Sequence, residues 1–178
     1  EFVKALAELG DVYVNEAFSV SHRQHASLVG VPKLLPHTAG LNLEKEISVL
    51  SKIFDSPRQP FIAMIGGAKV MDKLAVVKTL WKKADAVLLG SMLANHLLKS
   101  AGFGIGGSVI NAEVLDMAKE LLKNRKIVMP LDLVVGKLDG KKARVVEVGA
   151  RKHFEICKSP EAILDIGPKT ILEFSRYI

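Results

Sequence analysis

The spacing of apolar residues changes several times along this chain, and each change marks an element. Phe2 to Leu9, FVKALAEL, reads as the end of a helix stopped by Gly10. Asp11 to Val14 reads as a short buried strand. NEAFSVSHRQHAS after it is polar and turn-like, and VPKLLPHTAG, with its prolines and closing glycine, reads as a connection. Leu43, Ile47, Leu50 and Phe54 then recur at helical spacing and predict an amphipathic helix over Asn42 to Phe54. Asn42 is the expected N-cap, with Glu44 and Glu46 in the favourable first turn. DSPRQP breaks the chain again and sets an expected domain boundary.

From Phe61 onward, short apolar runs alternate with helical stretches, the rhythm of a parallel-sheet domain. FIAMI is a strand, followed by GGAKV and a helix from about Asp72 to Lys83. DAVLL is a second strand, leading to a helix over Ser91 to Ser100. Asn111 caps a third helix that runs to Lys123. KIVMP, LDLVV and ARVVEV follow as strands, the last two separated by the polar turn LDGKK. LDIGPKTILEF closes on a helix with Pro168 in its first turn. These strands are continuous apolar runs, as expected where both faces are covered. Trp81, at helical spacing from Leu74 and Val77, is assigned to the core.

Composition narrows the class. Of 178 residues, 49% are hydrophobic and 25% charged, a globular balance giving one domain or slightly more. No apolar run reaches the ~18–20 residues of a membrane span. Glu1-Phe2-Val3-Lys4 is not a signal peptide, and with no initiator Met the chain is expected to begin inside a longer product or to have been trimmed. The single cysteine, Cys157, rules out an internal disulfide, argues for a reducing compartment, and has no activating neighbour in sequence. A net charge of +6 favours anionic partners. Phosphorylated metabolites fit better than nucleic acid, because the basic residues are dispersed and aromatics are only 6%.

The clearest chemical motif is IGGAKVMDK, Ile65 to Lys73. A buried strand ends, two glycines turn the chain, and a helix begins with Lys69 and Lys73 at its mouth. Glycines let backbone N–H groups approach an anion, and the helix N-terminus adds partial positive charge. The spacing is not that of a Walker loop. The competing reading is a tight turn with surface lysines. GFGIGG, Gly102 to Gly107, matches a dinucleotide fingerprint but follows a helix rather than a strand, so it is read as a loop. In SHRQHAS, His22 and His25 lack a neighbouring carboxylate or cysteine to complete a metal shell. Arg23 is the better candidate there, since a guanidinium clamps a carboxylate or phosphate with paired hydrogen bonds. Asp132 is expected beyond a strand end, facing the crevice or capping a turn. Asp165 to Thr170 is a further strand-to-helix junction, structural or bordering a ligand.

In order and spacing, VNEAFSVSHRQHAS, AG with a linking helix, FIAMIGGAKVMDK, LLGSM, GGS, MPLDLVV and LDIGPKT resemble phosphoglycerate kinases over nearly the whole chain. The resemblance implies an α/β fold, a Rossmann-like parallel three-layer sandwich of that family's type, here incomplete. It implies that residues 1–40 end the domain for the acidic substrate, 41–57 form the hinge helix, and 58–178 begin the nucleotide domain. It implies a cytoplasmic, monomeric enzyme that moves a phosphoryl group between 1,3-bisphosphoglycerate and ADP, giving 3-phosphoglycerate and MgATP as the domains close. No nucleic-acid or membrane partner is expected.

By the same resemblance, Arg23, with His22 beside it, holds 3-phosphoglycerate. Gly66, Gly67 and Ala68 lie along the nucleotide. Lys69 contacts the phosphoryl group in flight, Lys73 the nucleotide phosphates, and Gly90 lies near the adenosine. The chain departs from the family pattern at Glu16, Met71, Ser91 and Met92. Ser91 and Met92 stand where the family has glycines that let the nucleotide approach. The protein ligand of Mg2+ and the other substrate-binding arginines are expected outside this chain, so turnover by it alone is not expected. A non-catalytic adenine-nucleotide-binding module of the same fold is the alternative.

Overall fold

A computed structural model describes residues 1–149 and 154–178. The chain divides into two compact units, Glu1–Arg58 and Gln59–Ile178.

The first unit opens with helix α1 (Phe2–Ala7) and strand β1 (Tyr13–Asn15). Short turns of helix follow at Phe18–Val20, Ala26–Gly30 and Val31–Lys33, then strand β2 (His37–Ala39) and helix α2 (Leu41–Asp55). β1 and β2 pair in parallel, Tyr13 opposite His37. Two expectations change here. β1 is not buried, since Val12 and Val14 stay 58% and 51% exposed. The supposed connection at His37–Ala39 is a strand, because parallel partners need a long crossover that local patterning does not reveal.

The start of α2 also differs. Gly40 is its N-cap, and Asn42 lies inside the helix. The cap comes from a distant residue: the Glu16 carboxylate accepts from the N–H groups of Asn42 (3.3 Å) and Leu43 (3.0 Å). Gly40 N–H donates to Asn15 O at 2.8 Å, bringing the helix start against β1. A Cβ on Gly40 would overlap the Glu16 carboxylate, so that approach requires glycine. Of the predicted apolar face, Leu43 is buried while Ile47 and Phe54 remain exposed.

The second unit runs β3 (Ile62–Ile65), α3 (Val70–Leu80), β4 (Ala86–Leu89), α4 (Ser91–Ser100), β5 (Gly104–Ile105) and α5 (Leu115–Leu121). It continues with β6 (Ile127–Val128), β7 (Asp132–Gly136), β8 (Arg144–Glu147), β9 (Glu155–Cys157), β10 (Ala162–Ile166) and α6 (Pro168–Ser175). Pro168 occupies the first turn of α6, and Asn111 caps the turn ahead of α5 by accepting from Glu113 N–H.

The alternation of strand and helix produces a parallel sheet in the order β3-β4-β6. Its core joins Ala63, Ile65, Val87 and Leu89 of the sheet to Leu74 and Val77 of α3, Leu93 and Leu97 of α4, and Leu121 of α5. Trp81 packs against this cluster. β4 is buried on both faces, but Met64 of β3 is 59% exposed, so the apolar run FIAMI is covered on one side only. A second core joins Leu98 of α4 to Ile105, Leu133, Val135 and Ile156.

The parallel pattern recurs in the short pair β5–β9 but not in the three-stranded sheet of β7, β8 and β10. β10-β7-β8 is antiparallel throughout; for β7 and β8 the cause is local, since the polar turn after Gly136 is a hairpin and a hairpin joins only antiparallel strands. GFGIGG is not a plain loop: Gly104 and Ile105 pair with β9. Cys157 is buried beside them, and burial, with Glu161 nearby, pushes its thiol pKa up, away from the reactive thiolate.

Candidate functional site

β3 and β4 lie side by side in parallel, Ile65 opposite Leu89, so the chain leaves both strands at the same edge of the sheet. After β3 it turns through Gly66, Gly67 and Ala68 to Lys69 and enters α3; after β4 it passes Gly90 and enters α4. Gly90 N–H donates to Ile65 O at 3.1 Å, which ties the two turns together. Gly67 has φ +122°, a conformation open in practice only to glycine. A side chain there would also meet Lys73, whose Cε lies 3.7 Å from the Cβ position. Lys73 therefore folds back over the glycine turn. Lys69 is exposed at the N-cap of α3, where the first N–H groups of an 11-residue helix present partial positive charge.

The structure thus brings Gly66, Gly67, Ala68, Lys69, Lys73 and Gly90 together at one edge. His22 and Arg23 belong to the first unit, in the exposed turn after Val20, where Arg23 N–H donates to Val20 O at 2.9 Å.

Ser91 shapes the same edge. Its φ is +52°, left-handed backbone occupied by a residue with a Cβ, and its Oγ lies 3.2 Å from the Cβ position of Gly66. A cavity of about 410 Å3 opens here between Met64, Gly66, Gly90, Ser91, Ile166 and Phe174. A neighbouring one of about 370 Å3 lies between Lys69, Val70, Met92, His96, Val109 and Asn111. His96 is wholly buried on its wall: its Nε2 accepts from Asn111 N–H (2.8 Å), so Nδ1 donates to Met92 O (2.7 Å).

Asp132 departs from expectation. It begins β7 rather than following a strand, and it is wholly buried. Its Oδ1 accepts from Thr170 N–H (2.7 Å) and its Oδ2 from Lys169 N–H (3.0 Å), so the carboxylate caps α6. Thr170 Oγ1 lies 2.7 Å from both Asp132 Oδ1 and Asp132 O, and accepts from Asp132 N–H at 2.9 Å. Burial alone would raise this carboxyl's pKa. The hydrogen bonds from Thr170 and Lys169, with the Lys169 charge, outweigh burial and hold it below its ordinary value. The junction at Asp165 to Thr170 is thus structural at Thr170, while Asp165 and Ile166 border the cavity at Ser91.

Sequence reasoning missed Glu16 and Thr170 as parts of helix caps, and His96 and Asn95 as buried polar residues. At α6 a glycine start without a local cap hinted at a distant acceptor, whereas at α2 Asn42 offered a competing local signal. Among the described residues no three His, Cys, Asp or Glu side chains converge to hold a metal.

The family profile for phosphoglycerate kinase matches residues 1–178. The chain belongs to the phosphoglycerate kinase family. The phosphoglycerate kinase of Finegoldia magna is 42% identical over 184 residues, covering 99% of this chain and 45% of that protein. That of Pelotomaculum thermopropionicum is 40% identical over 183 residues, with the same coverage. Among solved structures, phosphoglycerate kinase from Pyrococcus horikoshii superposes with a TM-score of 0.80 at 31% identity, over 97% of this chain and 44% of that one. The Coxiella burnetii enzyme gives 0.77 at 32% identity. The chain therefore spans less than half the length of these phosphoglycerate kinases, and the incomplete α/β fold of that family agrees with the resemblance in sequence.

Proposed function

We propose that this chain supplies the nucleotide-phosphate edge of an enzyme that reversibly transfers a phosphoryl group from 1,3-bisphosphoglycerate to ADP, giving 3-phosphoglycerate and ATP. The observation that carries the reading is the turn from Gly66 to Lys69, with Gly67 at φ +122° and Lys73 folded over it, at the shared edge of β3 and β4. Such transfer requires positioning and charge neutralisation more than a nucleophile. Lys69 neutralises the phosphoryl oxygens in flight and Lys73 the nucleotide phosphates. Gly66, Gly67 and Ala68 let backbone approach the nucleotide, and Gly90 lies near the adenosine. Arg23, with His22, holds the acidic substrate. Residues 1–40 serve that substrate, 41–57 act as the hinge, and 58–178 serve the nucleotide, in a cytoplasmic monomer using MgATP.

Titration of the chain with ADP tests this. Lys73→Ala and Lys69→Ala each weaken ADP binding about tenfold, the loss of one charge-assisted contact. Binding unchanged in both variants refutes the assignment.

The second reading, a nucleotide-binding module without catalysis, is favoured by Ser91, whose side chain stands 3.2 Å from the Gly66 Cβ position. A coupled assay of ATP consumption with 3-phosphoglycerate separates the two in the full-length protein. The kinase turns over and loses affinity for 3-phosphoglycerate on Arg23→Ala, whereas the module binds ADP and responds to neither. The 178 residues alone are expected to bind nucleotide without turnover.

A further inference from the structure

α4 starts on strained backbone, since Ser91, its first residue, has φ +52°. Such a conformation persists only where the surrounding contacts fix it. His96 supplies a fixing contact that packing alone would not. Its Nδ1 donates to Met92 O in the first turn of α4, and its Nε2 accepts from Asn111 N–H, 15 residues away in the turn ahead of α5. The wholly buried ring is therefore a cross-tie between two segments. Met92, His96 and Asn111 border the cavity of about 370 Å3 together with Lys69 and Val70 at the start of α3. Asn111 itself is exposed, so water can take over its N–H if a shorter side chain replaces the ring. Losing the tie then costs position more than stability.

We propose that His96 is a positioning residue for the nucleotide edge. The inference rests on the nucleotide reading above. The start of α4 is held by Gly90 N–H, which donates to Ile65 O, and by His96, which links Met92 to Asn111. With both bonds in place, the first N–H groups of α4 stay beside the turn from Gly66 to Lys69. Without the second, the first turn of α4 is free to shift, and binding groups placed about 1 Å off lose much of their contribution. A leucine would fill the same core position without joining the two segments. What the imidazole adds is the bond to Asn111, not volume.

The test is calorimetric titration with ADP of two pairs of variants, each also unfolded in urea. His96→Gln reaches as far as Nε2, so its amide oxygen still accepts from Asn111 N–H. His96→Asn stops at the position of Nδ1 and gives up that bond. The Gln variant is expected to bind ADP within about twofold of the parent, and the Asn variant about tenfold more weakly. A role in folding alone lowers the urea midpoint and leaves the ADP Kd of the folded protein where it was. The second pair attacks the other end of the bond. Asn111→Ala removes the side-chain cap on Glu113 N–H and keeps its own N–H, whereas Asn111→Pro removes both, at a φ of −98° that lies near the range of proline. The Pro variant is expected to bind ADP about tenfold more weakly than the Ala variant. If one pair fails to fold, the other decides the matter. Equal affinity within a folded pair overturns the assignment to His96 and leaves the nucleotide reading intact. No binding of ADP by the parent overturns the nucleotide reading, and this inference with it.

Discussion

Replacing Asp132 with alanine tests how much of the second unit depends on one buried carboxylate. The change leaves the N–H groups of Lys169 and Thr170 without an acceptor, and Thr170 is wholly buried. Losing a helix cap costs about 1 kcal/mol, and a buried donor left unpaired costs about 1–3 kcal/mol. Together they predict a loss of about 3 kcal/mol. Asp132→Asn should cost roughly 2 kcal/mol, because the amide oxygen still serves Thr170 N–H while the amide NH2 faces Lys169 N–H, donor against donor. Urea unfolding at pH 7, followed by fluorescence of the single Trp81 in the core, measures both, with the midpoint falling and the slope unchanged. The pH dependence carries a sign. The folded pKa lies below the ordinary value, so this stabilisation is fully present above the unfolded pKa, near 3.9, and is lost as pH falls through the folded one. The gap between parent and Asp132→Ala should hold from pH 7 to about pH 5 and narrow below about pH 4. A loss under about 0.5 kcal/mol, or a gap that is constant down to pH 3, would refute the reasoning.

Ser91→Gly removes a side chain from left-handed backbone, relieving about 1–2 kcal/mol, against about 0.5–1 kcal/mol from the greater freedom of the unfolded chain. A net gain of roughly 0.5 kcal/mol in the urea midpoint is expected, and a net loss would mean that Ser91 makes a compensating contact. Gly40→Ala should cost about 1–2 kcal/mol by pushing the Glu16 carboxylate off the start of α2. In a Glu16→Ala background the same change should cost almost nothing, and a double-mutant cycle reads the difference; additive costs would show that Gly40 matters for another reason.

The parts of the fold that were legible in sequence are those written locally. The helices α3 and α4, the strand at Ala86–Leu89 and the cap at Asn111 follow from periodicity and neighbouring residue types. What escaped was written between distant residues. β1 was legible as a strand but not its partial exposure, and β2 is three exposed residues that carry no apolar pattern. The cap on α2 comes from 26 residues upstream, while Asn42 supplied a plausible local signal that lost to it. Asp132 was visible as a candidate, but whether it followed or began a strand depended on pairing with β8 and β10. At the candidate site the glycines and lysines of IGGAKVMDK were legible because a turn followed by a helix is local. Asn95 was not, because only burial without a partner sets it apart.

Among the described residues four helices follow a glycine-containing turn, and sequence alone treats them alike. The structure separates them by who satisfies their first N–H groups. At α2 the acceptor is Glu16 and at α6 it is Asp132; each carboxylate sits so close to Gly40 or Gly167 that a Cβ there would overlap it. Those glycines exist to admit the chain's own acid, and those helix starts are closed. At α3 and α4 no described side chain caps the helix start, and the two starts are neighbours through Gly66, Gly90 and Ser91. A free helix start attracts an anion. Two such starts lie at one sheet edge, with Lys69 and Lys73 beside them, and no described side chain serves as their acceptor. The glycine turn closed by an internal carboxylate and the glycine turn with no described cap are the same local solution, and the distant residue decides which one is built.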